Sequence, residues 1–410
     1  MITGNKKMIM RECERRNAIR RVRNASVNHI EFFHNITGDL LISGYAAANM
    51  TLLADMISEY MKRDDIPTII LSGHTELFTI LRRRLHSGDI DRVMISDPSD
   101  RNYHPFYGMT VQQMLRLIRL TAEELGYSVM NDQVLQYASA VLNTVSVSYP
   151  VSLPAMTALL QYDDDFISEY ALQKGLGNVI ADNIRGNYEA GVIFRRVCEK
   201  LESIFEEVYS SGTDTKYNFQ SGAQGNVAVM AFYAIASNQN IMNAYLKEEL
   251  FTTLKRIPKI RVVADEMTFD SAEDELLKYI FQMKRLGKIE LVFVSRNADE
   301  SVYGTQLRFA NVILFQHSDP TATDELSKAL WGVYRYNYPV PVAGKPPALL
   351  FTFKTTIHWQ IATEERNRVR AEDLYAKQGI LSRGSDLLAV KTTANDNVYL
   401  IEASVFLQAG

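Results

Sequence analysis

Asp39-Leu-Leu-Ile-Ser-Gly-Tyr-Ala-Ala-Ala-Asn-Met-Thr-Leu-Leu53 is the stretch on which the fold turns. Its first five residues read as a short apolar strand, and Leu52, Leu53, Met56, Ile57 and Tyr60 recur at helical spacing after it. Between them, Gly44 to Thr51 keeps the spacing of a phosphate-binding loop, which is Gly, four residues, then Gly-Lys-Ser/Thr. Gly44 and Thr51 stand in register with that pattern. Asn49 takes the place of the second glycine and Met50 the place of the lysine, while Ala47 stands where the loop interior needs a small, flexible residue.

Outward from this stretch the chain alternates. Pro67-Thr-Ile-Ile-Leu71 and Arg92-Val-Met-Ile-Ser96 read as strands buried on both faces, because they are short apolar runs without polar alternation. From Tyr107 to Tyr209 strand signals vanish. Val111, Met114, Leu115, Ile118 and Leu125 share a helical period, as do Val134, Tyr137, Ala138, Val141 and Leu142, and then Val192, Val197, Leu201, Ile204, Phe205 and Val208. The spacing predicts an insert of four to six helices with its own small core. The polar segment Ser210 to Gly225 leads back to strands at 226–232, 260–264, 289–294 and 311–315, with helices at 240–256, 272–285 and about 323–334. After Lys345-Pro-Pro347 come an apolar run at 348–353, a charged helical stretch and a strand-like tail at 398–407. Strands alternating with helices imply parallel crossovers and a doubly wound sheet.

Composition narrows the class. A chain of 410 residues, 47% hydrophobic and 22% charged, has ample material for a core. Two cysteines, Cys13 and Cys198, make no disulfide framework, which points to a reducing cytoplasm. No run of about 18 apolar residues is present, so no integral membrane segment is expected. A net charge of −4 speaks against a protein that coats nucleic acid over its whole surface. The first 24 residues differ: Lys6, Lys7, Arg11, Arg15, Arg16, Arg20, Arg21 and Arg23 form a basic arm suited to DNA or an acidic partner surface, or to solvent.

Ile260-Arg-Val-Val-Ala264 ends in Asp265-Glu266, about 220 residues after the damaged loop. Lys284-Arg-Leu-Gly287, Val292-Phe-Val-Ser-Arg-Asn297, Asn311-Val-Ile-Leu-Phe315 and Asp319-Pro-Thr-Ala-Thr-Asp-Glu-Leu-Ser-Lys328 follow. This order of parts resembles the type IV secretion coupling proteins and their relatives in the HerA and FtsK superfamily. The resemblance covers roughly residues 25 to 370 and lies in the pattern, with only the Asp-Glu pair intact. It implies a RecA-like α/β core of the P-loop NTPase fold, interrupted by an all-helical insert. The implied layout is a basic arm at 1–24, the first part of the core at 25–106, the insert at 107–212 and the second part of the core at 213–410. It further implies that Thr51 and Asp265 hold Mg²⁺, that Glu266 is the general base, that Arg285 is an arginine finger and that Arg296 is a sensor. Phosphoryl transfer needs such groups because its catalysis is positioning plus charge neutralisation.

The departures redirect the functional reading. Met50 places no charge against the β- and γ-phosphates. One such contact at 4 Å, in an effective dielectric near 20, is worth about 4 kcal/mol, close to a thousandfold in affinity. Ser72 and His74, in Ile70-Leu-Ser-Gly-His-Thr-Glu-Leu77, stand where the family reads Asp-Pro-Lys-Gly-Glu-Leu. The sequence therefore points to a pseudo-ATPase with no expected cofactor, a structural or adaptor subunit of a secretion or DNA-transfer assembly. Its partners would be the protein subunits of that assembly, in a homo- or hetero-oligomer at or near a membrane-bound complex. Two alternatives stay open: an active ATP-driven translocase of DNA or protein that uses Mg·ATP through an atypical loop, and a nucleic-acid-binding module that keeps the fold without nucleotide.

Other features have plainer readings beside the functional ones. Arg285 and Arg296 also suit solvated or paired ends of elements. The seven histidines show no ligand spacing. Asp163-Asp-Asp165 lacks the alternating ligands of a calcium loop and reads as an inter-helix stretch or N-cap. Trp331, Tyr334, Tyr336 and Tyr338 read as a cluster that packs a helix end on the sheet, or as a stacking surface.

Overall fold

The strand expected at the head of the quoted stretch is β1, Leu40–Ser43, and it is buried throughout. It belongs to a computed structural model that describes residues 37–44, 50–51, 53–54, 57–58, 66–72, 74–86, 93–95, 106, 108–127, 132–206, 228–232, 239–265, 275–295, 309–314, 324, 328, 333–343, 357–367, 387–392 and 395–402. The chain divides into two units, Leu53–Val294 and a discontinuous one of Met1–Leu52 with Ser295–Gly410.

In the unit Leu53–Val294, β2 (Thr68–Ser72), β3 (Val93–Ile95), β4 (Ala228–Phe232), β5 (Ile260–Asp265) and β6 (Ile289–Ser295) pair in parallel in the order β6-β5-β2-β4-β3. Every residue of β2 and β5 is buried, which is why the runs carry no polar alternation. Helix α1 (Thr75–His86) follows β2. This is a parallel α/β sheet. One feature breaks the apolar rule. Arg261 and Glu290 face each other in register on β5 and β6. The Arg261 side chain is 0% exposed, and its Nε and Nη2 donate to Glu290 Oε1 at 3.0 and 2.8 Å. Lys259 Nζ donates to Glu290 Oε2 at 3.1 Å.

Between β3 and β4 come six helices and, among the described residues, no strand: α2 (Val111–Glu124), α3 (Asp132–Ser148), α4 (Leu153–Leu160), α5 (Asp164–Gln173), α6 (Asn178–Arg185) and α7 (Tyr188–Glu206). Local chemistry starts them. Thr110 and Gln113 form a capping box at α2, Ser152 caps α4 with a proline in its first turn, and Asp163 accepts from the Phe166 N–H at 2.7 Å to cap α5. Asp163 is thus the N-cap that its sequence context suggested. The periodic residues Met114, Ile118, Val134, Tyr137, Ala138, Val141, Val197, Leu201 and Phe205 are buried. These helices group with the five strands in a single unit, so contacts do not set them apart as residues 107–212 alone.

Inside the helices the Tyr137 hydroxyl donates to Asp164 Oδ1 at 2.7 Å, and Arg195 Nη2 donates to the same oxygen at 2.7 Å. Gly191 makes room for both. A Cβ there would lie 3.0 Å from Tyr137 Cζ and 3.1 Å from an Arg195 nitrogen. Gly191→Ala is therefore expected to cost about 1–3 kcal/mol through overpacking. A thermal melt checks it, and a melting temperature equal to that of the parent chain would contradict this packing.

Helices α8 (Gln239–Arg256) and α9 (Glu275–Arg285) flank β5 in sequence. Polar contacts join α8 to the inserted helices. Gln113 Nε2 donates to Glu248 Oε2 at 2.9 Å and to Thr252 Oγ1 at 2.8 Å, while Arg116 pairs with Glu248 Oε1. Phe106, just before α2, Phe205, at the end of α7, and Tyr245, on α8, form a three-ring cluster with centroids 4.6, 4.7 and 5.1 Å apart. Phe106 adopts φ 68, a left-handed conformation that costs a bulky residue energy unless its side chain is well anchored.

In the other unit β7 (Asn311–Leu314) runs parallel to β1, and the Asn311 amide donates to the Thr37 and Asp39 carbonyls at 2.9 and 3.1 Å. A separate antiparallel ribbon pairs β8 (Val333–Ala343) with β9 (Ile357–Asn367). Strand β10 (Leu387–Thr392) then pairs antiparallel with both β7 and β11 (Asn395–Glu402), giving the order β11-β10-β7-β1. Three sequence expectations change here. The helix placed over 323–334 holds Asp324 and Lys328, but Val333 and Tyr334 are already on β8. Within the charged stretch expected as helix, Ile357–Asn367 is strand β9, and residues 368–386 lie outside the described residues. Tyr334, Tyr336 and Tyr338 belong to strand β8. The basic arm at 1–24, the return segment 210–225, Trp331 and the run 348–353 lie outside the described residues.

Candidate functional site

In the unit that contains β1, the chain leaves the strand through Gly44. This residue is buried, has φ 116 and donates its N–H to the Ser295 carbonyl at 3.0 Å. Such a φ is open to glycine and costly to other residues. Ala47 and Asn49 lie outside the described residues. Met50 and Thr51 are helical; Met50 is 7% exposed and Thr51 is exposed. Strand β1 and the helical residues from Met50 stand on either side of the loop positions, and residues 45–49 lie outside the described residues. At the lysine position the side chain is packed and uncharged.

In the other unit, Asp265 ends β5 and is 1% exposed. Ser72 ends β2 directly opposite it in the parallel register. The Ser72 hydroxyl donates to Asp265 Oδ2 at 2.5 Å and accepts the His74 backbone N–H at 3.0 Å. Ser72 thus links the Asp265 carboxylate to the backbone of His74. The C-terminal ends of parallel strands are where open α/β sheets place their ligands. Glu266 and Arg296 lie outside the described residues.

Arg285 is brought nowhere near Asp265 in this chain. It is exposed at the end of α9, which closes through Gly287 (φ 70), with the Gly287 N–H on the Lys284 carbonyl at 2.9 Å and the Lys288 N–H on the Met283 carbonyl at 3.0 Å. That turn feeds the start of β6, whose register places Ile289 beside Ile260 and Val294 beside Asp265. The length of the strand, on the order of 16 Å, therefore separates Arg285 from the Asp265 edge.

Sequence reasoning missed the Ser72–Asp265 hydrogen bond, the Arg261–Glu290 pair and the Gln113–Glu248–Thr252 network. Each joins residues far apart in sequence, and no local pattern announces them. Two groups with shifted titration lie in the inserted helices. Burial, with help from Asp164, pushes the Tyr137 hydroxyl up, and burial pushes the Cys198 thiol up, which keeps it an inert core residue. Among the described residues no cluster of three or more His, Cys, Asp or Glu could hold a metal ion, and no helix is long and apolar enough to cross a membrane.

No protein-family model matches the chain, and no curated protein matches it. Several solved structures share its general path. The bacterial conjugative coupling protein TrwBdeltaN70, in an unbound monoclinic form, is 13% identical with a TM-score of 0.49, over 90% of this chain and 85% of that one. The plasmid coupling protein TrwB in complex with ADP and Mg²⁺ is 13% identical with a TM-score of 0.47, over the same 90% and 85%. VirB4 of Thermoanaerobacter pseudethanolicus is 12% identical with a TM-score of 0.40, over 71% of this chain and 80% of that one.

Proposed function

We propose that the chain is a non-hydrolysing relative of the type IV coupling ATPases, serving as a structural or adaptor subunit of a secretion or DNA-transfer assembly. The observation that carries this reading is Met50. It is apolar and 7% exposed in the first helical turn, where a working loop would direct an ammonium at the phosphates. The residues present do not fit a nucleotide's charge at that position. Ser72 supports the same reading, because its hydroxyl already occupies one oxygen of Asp265.

Phosphate release from Mg·ATP by the purified full chain, beside Glu266→Gln, tests the proposal. The expected outcome is background release that is the same for both. Turnover abolished by Glu266→Gln would replace this reading with the active translocase. That second reading has Thr51 in its favour, a hydroxyl in register with the metal-binding position and exposed at the start of the helix.

A further inference from the structure

Two neighbouring turns of the parallel sheet carry one pattern twice. Helix α8 enters β5 through Lys255-Arg-Ile-Pro-Lys-Ile260, and α9 enters β6 through Lys284-Arg-Leu-Gly-Lys-Ile289. Each turn reads Lys, Arg, an aliphatic residue, Pro or Gly, Lys and Ile, and neither contains an acidic residue. The strands bring the copies together in register. Ile260 lies beside Ile289, and the Ile260 N–H donates to the Lys288 carbonyl at 3.1 Å. The backbones of Lys259 and Lys288 are therefore about one strand spacing apart. Lys255, Arg256, Lys259, Arg285 and Lys288 are exposed, and Lys284 is half-buried. Glu290, the carboxylate that follows on β6, is turned inward, with its side chain 3% exposed and shared by Arg261 and Lys259.

Helix C-termini attract cations, which accounts for the Lys-Arg in each last turn. It does not account for Lys259 and Lys288, which follow the helix ends, or for Leu286, which is 61% exposed between Arg285 and Gly287. Six cations on two adjacent turns, in a chain of net charge −4, fit a polyanion. Protein interfaces are depleted in lysine, and four of these six cations are lysines. A nucleic acid would meet the cations through its phosphates and leave Leu286 in water. Its bases would also need an open ring, and the Phe251 ring beside this edge already has the Lys255 ammonium over it at 4.2 Å. An anionic bilayer suits both kinds of residue, because its headgroups pair with the cations while the leucine enters the boundary of the acyl chains. We propose that this edge of the sheet, at the opposite end of β5 from Asp265, is a docking surface for an anionic lipid membrane. The inference is independent of whether the damaged loop binds nucleotide.

Cosedimentation of the full chain with phosphatidylcholine vesicles, with and without about 30% phosphatidylserine, tests it, and a labelled DNA duplex serves as the competing probe. Three variants are compared: Arg256→Gln with Lys288→Gln, Leu286→Ser, and a control, Arg119→Gln with Lys174→Gln, which removes the same charge at exposed positions on the inserted helices. Each cation at an anionic surface contributes about fivefold to binding, so the first double variant is expected to bind phosphatidylserine vesicles roughly twenty-five-fold more weakly. Leu286→Ser is expected to lose about tenfold, and the control to bind as the parent chain does, with the melting temperature held in all three. Absence of phosphatidylserine-dependent binding, no loss in the first double variant, or an equal loss in the control overturns the proposal. So does duplex binding, in place of vesicle binding, that Arg256→Gln with Lys288→Gln weakens and Leu286→Ser leaves unchanged, which would assign the edge to nucleic acid.

Discussion

Glu290→Ala is expected to lower the melting temperature by roughly 6–20 °C, the effect of losing about 3–5 kcal/mol in a unit of this size. The reason is the state of Arg261. Its side chain is 0% exposed, and both of its guanidinium contacts to Glu290 end on one carboxylate oxygen. Removing the carboxylate takes a hydrogen-bonded counter-charge from a buried cation, and that penalty exceeds the net worth of the intact pair. The double variant Arg261→Met with Glu290→Leu is therefore expected to recover most of the loss, because it removes the desolvation cost with the charges. Differential scanning calorimetry of the three variants separates the cases. A double variant as unstable as Glu290→Ala would mean that the pair matters through packing and not through charge.

The next largest effect is expected at the root of the inserted helices. Phe205→Ala should cost about 3–5 kcal/mol, since it opens a cavity in a core site and removes two edge-on ring contacts. Phe205 is 1% exposed and touches Phe106 and Tyr245. Because Phe106 holds φ 68, the lost contact also removes part of what offsets its backbone strain. Limited proteolysis should cut near residue 106 or residue 206 sooner in Phe205→Ala than in the parent chain, and the melt should fall with it. Phe205→Leu should show both effects at reduced size. Equal proteolysis of the parent chain and Phe205→Ala would show that the rings do not tie these helices down.

Much of this architecture is legible in the sequence. The apolar runs at β1, β2, β5, β6 and β7 lack alternation because both faces of a parallel sheet are covered, and each strand lies within a few residues of its expected bounds. The helical period from Val111 to Phe205 likewise names most of the buried residues, while Leu125 is exposed and Val111, Leu115 and Val192 are half-buried. The ribbon was not legible. Pro339 and Pro341 argue against a strand in a sheet interior, but a two-stranded ribbon has only edges, where proline is tolerated. Glu364, Glu365 and Arg366 suggest a solvated helix, yet cross-strand and neighbouring ion pairs such as Arg335–Glu365 at 3.2 Å suit an exposed ribbon equally. At the candidate site, Gly44 and Met50 could be picked out from the loop spacing and Asp265 from the resemblance. The Ser72–Asp265 bond could not, because it depends on the register of two strands whose residues are 193 positions apart.

Heat of binding, measured by titrating Mg·ATP into the purified full chain, tests the central claim most directly. Met50 supplies no charge where about 4 kcal/mol of phosphate contact would otherwise arise, so no saturable heat is predicted at millimolar nucleotide and the melting temperature should not move. Nucleotide at a hundred times its dissociation constant would stabilise the chain by about 2.7 kcal/mol. A saturable isotherm with that matching thermal shift would contradict the account.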